Sequence, residues 1–260
     1  MRYLISGVLI GFANLVPGVS GGTVAVLTGV YRDLIISISS LFRMDWNKRA
    51  LKIMGLTVVG ALLAIGSGAM GLKRSLEYHT FATYAVFFGL VLGSLPSVLR
   101  KLERFHLWFV LLGIAVVSWP KFTGNAVELP SSPLMLIVGG LVAAGAMVLP
   151  GLSGSLLLLI MGLYERVIDA ISAMDMSRLL PLGIGVIVGI VLFVKIVEYL
   201  MKTYPVFTGN FIVGLVVGSL LIIWPFGLEK ASVGMGTLLI IVGAGVAMFV
   251  DFAGRRVGNA

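Results

Sequence analysis

Two stretches carry residue types suited to holding an anion. Asn14-Leu-Val-Pro-Gly-Val-Ser-Gly-Gly-Thr23 is answered by Val148-Leu-Pro-Gly-Leu-Ser-Gly-Ser155. In each, Pro17-Gly18 or Pro150-Gly151 interrupts an apolar run, because proline lacks an amide donor and glycine admits positive φ. A half-helix starting near Ser20 or Ser153 has first-turn amides without intrahelical partners, at the positive end of its dipole. The amides of Gly21, Gly22, Thr23, Gly154 and Ser155 suit an anionic oxygen, and the hydroxyls of Ser20, Thr23, Ser153 and Ser155 add donors. Asn14, three residues before Pro17, is placed to line the same site. The plainer alternative is that Ser20 and Ser153 only cap their half-helices. Two copies at corresponding positions of two halves favour a ligand, as in transporters whose broken helices hold the substrate.

The other candidates carry two readings each. Arg32 and Arg166 follow Tyr31 and Tyr164 just after the two motifs. They either anchor the interface, with tyrosine in the headgroup belt, or recruit a phosphate group by bidentate bonding. Lys195 and Glu198 lie one helical turn apart near the end of an apolar run. Their spacing allows mutual neutralisation, or a coupling role for ionisable groups at membrane depth. His79 and Glu77 open another span, and Asn210 sits among apolar residues. With no cysteine and two histidines in 260 residues, no thiolate or metal site is expected, and no cofactor.

Those motifs must be positioned by membrane helices. The chain is 59% hydrophobic and 12% charged, too apolar for a soluble domain, and several runs are long enough to cross about 30 Å of hydrocarbon. The fold class is therefore an all-α polytopic membrane protein. Its net charge of +8 reads as positive-inside bias rather than nucleic-acid binding. The N-terminus shows no small-residue cleavage pattern and is read as uncleaved.

Apolar segments divide into two repeats. Repeat 1 (1–122) holds a hairpin over 3–30 and helices over 51–71, 79–99 and 106–119. A linker over 123–133 leads to repeat 2 (134–260), with a hairpin over 134–162 and helices over 179–200, 206–226 and 233–250. Gly89-Leu-Val-Leu-Gly-Ser-Leu95 and Gly214-Leu-Val-Val-Gly-Ser-Leu220 agree at six of seven positions, with small-xxx-small spacing suited to close helix packing. If both broken segments are re-entrant and the N-terminus is cytoplasmic, 13 Lys/Arg fall inside and six outside. Full crossings give at best 11 and 8, so the positive-inside rule favours re-entrant hairpins and cytoplasmic termini. One hairpin and three crossings per repeat then invert the second repeat relative to the first. Residues 31–49 read as an amphipathic helix on the cytoplasmic surface, with 164–178 on the opposite face.

Pro-Gly-Val-Ser-Gly-Gly-Thr, Pro-Gly-Leu-Ser-Gly-Ser and a Gly-x-Tyr after each together resemble the bacterial and archaeal polyprenyl-phosphate transporter family. The resemblance spans essentially the whole chain. It implies a flippase or translocase of the cytoplasmic membrane that carries undecaprenyl phosphate, or a related lipid, from outer to inner leaflet for reuse. The implied partners are that lipid and the bilayer; a homo-oligomer is left open. A transporter or channel for a small soluble anion is the alternative. Membrane undecaprenyl-pyrophosphate phosphatases share a Pro-Gly-x-Ser turn, but theirs continues with arginine and has a Glu-x-x-x-Glu pair nearby. This chain has Gly21 and Gly154 at that place and no Glu-x-x-x-Glu. The acid–base and phosphate-clamping parts of hydrolysis are missing, so an enzyme is not expected.

Overall fold

The computed structural model describes residues 1–15, 19–45, 47–100, 102–123, 132–227 and 232–258. Among them are helices α1 (Arg2–Leu15), α2 (Gly21–Leu27), α3 (Tyr31–Phe42), α4 (Lys48–Tyr78), α5 (Thr80–Leu99) and α6 (Leu107–Thr123). The second half has α7 (Pro133–Val148), α8 (Gly154–Ile160), α9 (Tyr164–Ser172), α10 (Met176–Thr203), α11 (Pro205–Ile222) and α12 (Val233–Gly258). The all-α reading holds, and the two halves repeat the same order of elements. Four apolar stretches have the length of a membrane span, within α4, α5, α10 and from α11 to Gly227. The apolar parts of α6, α7 and α12 are shorter. Most of the expected linker, residues 124–131, lies outside the described residues.

Each half opens with a helical hairpin. Helix α1 has 14 residues, about 21 Å at 1.5 Å per residue, and α2 has only seven. The chain returns to where it started: Arg2 Nη2 donates to the carbonyl of Gly29 at 2.6 Å. In the second hairpin Leu158 and Leu163 of the returning arm pack at Gly139 on α7. Both short arms end in the same way. Gly29 (φ 71°) and Gly162 (φ 65°) take the left-handed position, and the next amides, of Val30 and Leu163, bond back to Ala25 and Leu158. This Schellman closure accounts for the glycine of Gly-x-Tyr.

Glycines set the helix pairing. A Cβ on Gly7 would overlap the backbone of Thr57, and one on Gly11 that of Ala61. Position advances together on both helices, so α1 and α4 run parallel. Gly140 against Leu182 and Gly189 against Leu141 repeat this for α7 and α10. The remaining helices pair across the halves. Gly89 and Gly93 of α5 meet Ile240 and Ala244 of α12, while Gly214 and Gly218 of α11 meet Val110 and Ile114 of α6. Thus the six-of-seven match marks two equivalent helix seams.

Helix α3 has one buried face, with Tyr31, Ile35, Ser37, Ser39 and Ser40 packed against α4 and α10, while Arg32, Ile36 and Phe42 are exposed. Burial is tolerated because the hydroxyls are satisfied, Ser37 by the carbonyl of Asp33, Ser40 by that of Ser37, and Ser39 by Glu198. Helices α2 and α3 meet at a bend of 118°. Helix α9, its counterpart, packs against α8 and α10 and leaves Tyr164, Glu165 and Asp169 exposed.

Candidate functional site

The two hairpin tips meet. The amide of Gly151 donates to Thr23 Oγ1 at 2.7 Å, and Thr23 is 1% exposed. Gly151 has φ +86° and its missing Cβ leaves room for the carbonyl of Leu215, so only glycine fits there. Gly22 faces Met147, Leu149 and Pro150 of the second tip. Tyr31 adds a second clasp, its hydroxyl donating to the carbonyl of Val148 at 3.0 Å. Tyr31 is thus 7% exposed rather than in a headgroup belt, because the end of α7 needs a donor for its carbonyl.

Beside this contact is a pocket of about 150 Å³ lined by Asn14, Val19, Ser20, Gly21, Met147, Leu152, Ser153, Gly154 and Ser155. At about 30 Å³ per water it has room for roughly five waters, or one tetrahedral oxyanion. Asn14 Oδ1 accepts from the Gly21 amide at 3.1 Å. That bond occupies the oxygen and leaves the Nδ2 donors of Asn14 on the rim. The hydroxyls of Ser153 and Ser155 lie 2.9 Å apart, one donating to the other. Ser20 differs from both. It precedes α2 in extended conformation (φ −101°, ψ 127°) but makes no side-chain capping bond. The residue is 4% exposed and its hydroxyl has no partner. A buried unpaired hydroxyl costs about 1–3 kcal/mol, which a ligand oxygen in the pocket would offset. No charged side chain lines the pocket among the described residues.

Six expected residues therefore converge: Asn14, Ser20, Gly21, Ser153, Gly154 and Ser155. Gly22, Thr23 and Gly151 form the contact between the tips instead. Pro150 lies against Gly22, while Pro17 and Gly18 fall outside the described residues. Arg32 is exposed and lines a separate cavity of about 520 Å³ together with Arg2, Asp33, Glu103 and Thr208. Arg166 sits half-buried on α9.

Glu198 does not pair with Lys195. It is 5% exposed and accepts from Ser39, from Arg43 at 3.1 Å and from Lys202 at 2.6 Å, whereas Lys195 is exposed. The i,i+4 residue faces the same partner helix as Glu198, and the bend after α2 brings Arg43 across. Arg43 was legible only as a surface charge, since nothing in its neighbours marks a partner 155 residues away. Asn210, 0% exposed, is a brace: its side chain bonds the amide of His106 and the carbonyls of Arg104 and Val206, each at 2.8 Å. His79 is exposed at the junction of α4 and α5.

Known proteins match this chain along most of its length. The polyprenyl-phosphate transporter of Vibrio cholerae is 32% identical over 246 residues, covering 87% of this chain and 79% of that protein. The polyprenyl-phosphate transporter of Staphylococcus aureus is 34% identical over 243 residues, covering 85% of each. No solved structure matches. Residues 10–235 match the family described as undecaprenyl phosphate translocase-like. A match over that span, which includes both Pro-Gly-x-Ser-Gly stretches, means that this multi-pass membrane chain belongs to the undecaprenyl phosphate translocase-like family.

Proposed function

We propose that this protein is a translocase carrying undecaprenyl phosphate, or a related polyprenyl phosphate, from the outer to the inner leaflet of the cytoplasmic membrane. The observation that carries the reading is the pocket between the two tips, where the buried hydroxyl of Ser20 lacks a partner. Ser20, Ser153, Ser155 and the Asn14 amide then donate to the phosphate oxygens. Hydrogen bonds to an ionised acceptor are strong, yet neutral donors attract it less than a buried cation would, which suits a site that must also release its cargo.

Parallel packing of α1 with α4 supports hairpins that enter and leave on one side, since full crossings would send α4 back along α1. Arg2 beside Gly29 supports the same reading. Consecutive membrane helices alternate in direction, and α5 runs with α12 while α6 runs with α11. Corresponding helices of the two halves then point oppositely, the arrangement of inverted repeats with a site at their junction. The tips are within reach of both leaflets in turn. Arg32 and Arg166, one after each hairpin, stay in this proposal as peripheral phosphate contacts, with Glu198 as the coupling candidate.

Vesicles reconstituted with the protein test the function. Undecaprenyl phosphate in their outer leaflet becomes inaccessible to an external, impermeant phosphatase as it moves inward, and Ser20→Ala with Ser153→Ala slows that movement. An equal flux of inorganic phosphate, with no lipid movement, would replace the proposal by a soluble-anion transporter.

A further inference from the structure

A second cavity continues from the tip pocket, and its chemistry is different. It holds about 360 Å³ and shares Asn14, Gly21 and Met147 with the polar pocket. From there it runs between α1, α3, α4, α7 and α10, walled by Ile10, Leu34, Ile38, Met54, Val58 and Ile190. Beyond Asn14, which it shares with the polar pocket, the polar side chains along it are already satisfied. Thr57 Oγ1 donates to the carbonyl of Ile53 at 2.8 Å, and the Tyr31 hydroxyl to that of Val148. What remains is an apolar wall. Val58 and Met147 are half exposed at its rim, and such an apolar rim suits an opening towards lipid, whose tails are as apolar as these side chains.

We propose that this cleft seats the first isoprene units of the polyprenyl chain while the phosphate occupies the tip pocket. This rests on the translocase reading above. An amphiphile with an anionic end and an unsaturated apolar chain meets, in the same order, a pocket with an unpartnered hydroxyl and then a dry apolar slot. A soluble anion would have no use for the slot. Its volume lies near the lower end of the usual range for small-ligand pockets, about 300–1,000 Å³, so only the head of the chain enters and the remainder stays in lipid. Lipid is as apolar as the cleft wall, so entry yields no hydrophobic gain. The cleft acts by position: it orients the phosphate ester towards Ser20 and keeps water from the polar pocket beside it.

A photoaffinity probe locates the chain. The full-length protein in lipid vesicles is irradiated with a polyprenyl phosphate bearing a diazirine on the isoprene unit next to the phosphate. The expected labels fall on Leu34, Ile38, Met54, Val58 or Ile190, and unlabelled undecaprenyl phosphate competes them away while polyprenol does not. Val58→Trp, which adds bulk to the slot, lowers labelling of Met54 and Ile190 by about tenfold, as for overpacking a filled cavity. Competed labels on Leu102, Val206 or Ile212, which line the Arg32 cavity, would overturn the tail cleft and leave the translocase standing. Labelling unchanged in Val58→Trp would also overturn it. Absence of any competed label in the wild type would remove the translocase reading itself.

Discussion

Buried hydroxyls are normally satisfied, and Ser20 is one of two among the described residues that are not. Removing an unpaired group costs the free protein nothing, whereas removing a capping group destabilises a helix by about 0.5–2 kcal/mol. Ser20→Ala therefore keeps or raises the thermal midpoint in detergent while lowering affinity for the phosphate lipid by roughly tenfold to a hundredfold, the worth of a hydrogen bond to a charged group. A lower midpoint with unchanged affinity would make Ser20 a packing residue. Thr23 is the converse case. Its oxygen is the acceptor for the buried amide of Gly151, so Thr23→Val strands that amide and costs about 1–3 kcal/mol in unfolding free energy. Thr23→Ser keeps the acceptor and restores most of it.

At the scale of elements, glycines decide which helices touch. Two kinds are separable by experiment. A methyl at Gly7, Gly89, Gly140 or Gly214 would strike a neighbouring backbone, while Gly55 and Gly183 have open space around them. Alanine at Gly55 or Gly183 raises helix stability by roughly 0.5–1 kcal/mol. Gly151→Ala, with positive φ and the carbonyl of Leu215 in the way, gives protein that loses its folded monodisperse peak in size-exclusion chromatography. Equal behaviour of Gly55→Ala and Gly151→Ala would contradict the packing. Helix α3 shows a further rule. Its serines go inward because Glu198, Arg43 and Lys202 form a network with Ser39. A network whose members are all bonded can be buried, where single polar groups cannot.

For the whole molecule, the pairing of α5 with α12 and α6 with α11 locks the halves together, so neither half is a separate packing unit. The inverted orientation proposed for the halves has a direct test, helped by the absence of cysteine. Lys48→Cys, at the start of α4, is expected to react with an impermeant thiol reagent only from the cytoplasmic side of oriented vesicles. Met176→Cys, at the start of α10, is expected to react only from the other side. Reaction of both from one side would rule out inverted repeats and, with them, a pair of tips serving the two leaflets in turn.

The sequence by itself determined the membrane class and the doubled Pro-Gly-x-Ser-Gly, because hydropathy and helix breaking are local properties. It also placed Asn14, Ser20 and Ser153 among the candidates, since polar residues at a broken helix are conspicuous in an apolar chain. Which of them share a pocket was decided by the tertiary structure. Thr23 and Ser20 are three residues apart with similar hydroxyls, yet one is bonded to the opposite tip and the other has no partner. That difference depends on how a seven-residue helix rotates against a second hairpin, and no local pattern encodes it. The same holds for Glu198, whose i,i+3 neighbour Lys195 points away while Arg43 arrives from another helix. Spacing along a chain limits which groups can meet, and packing selects which of them do.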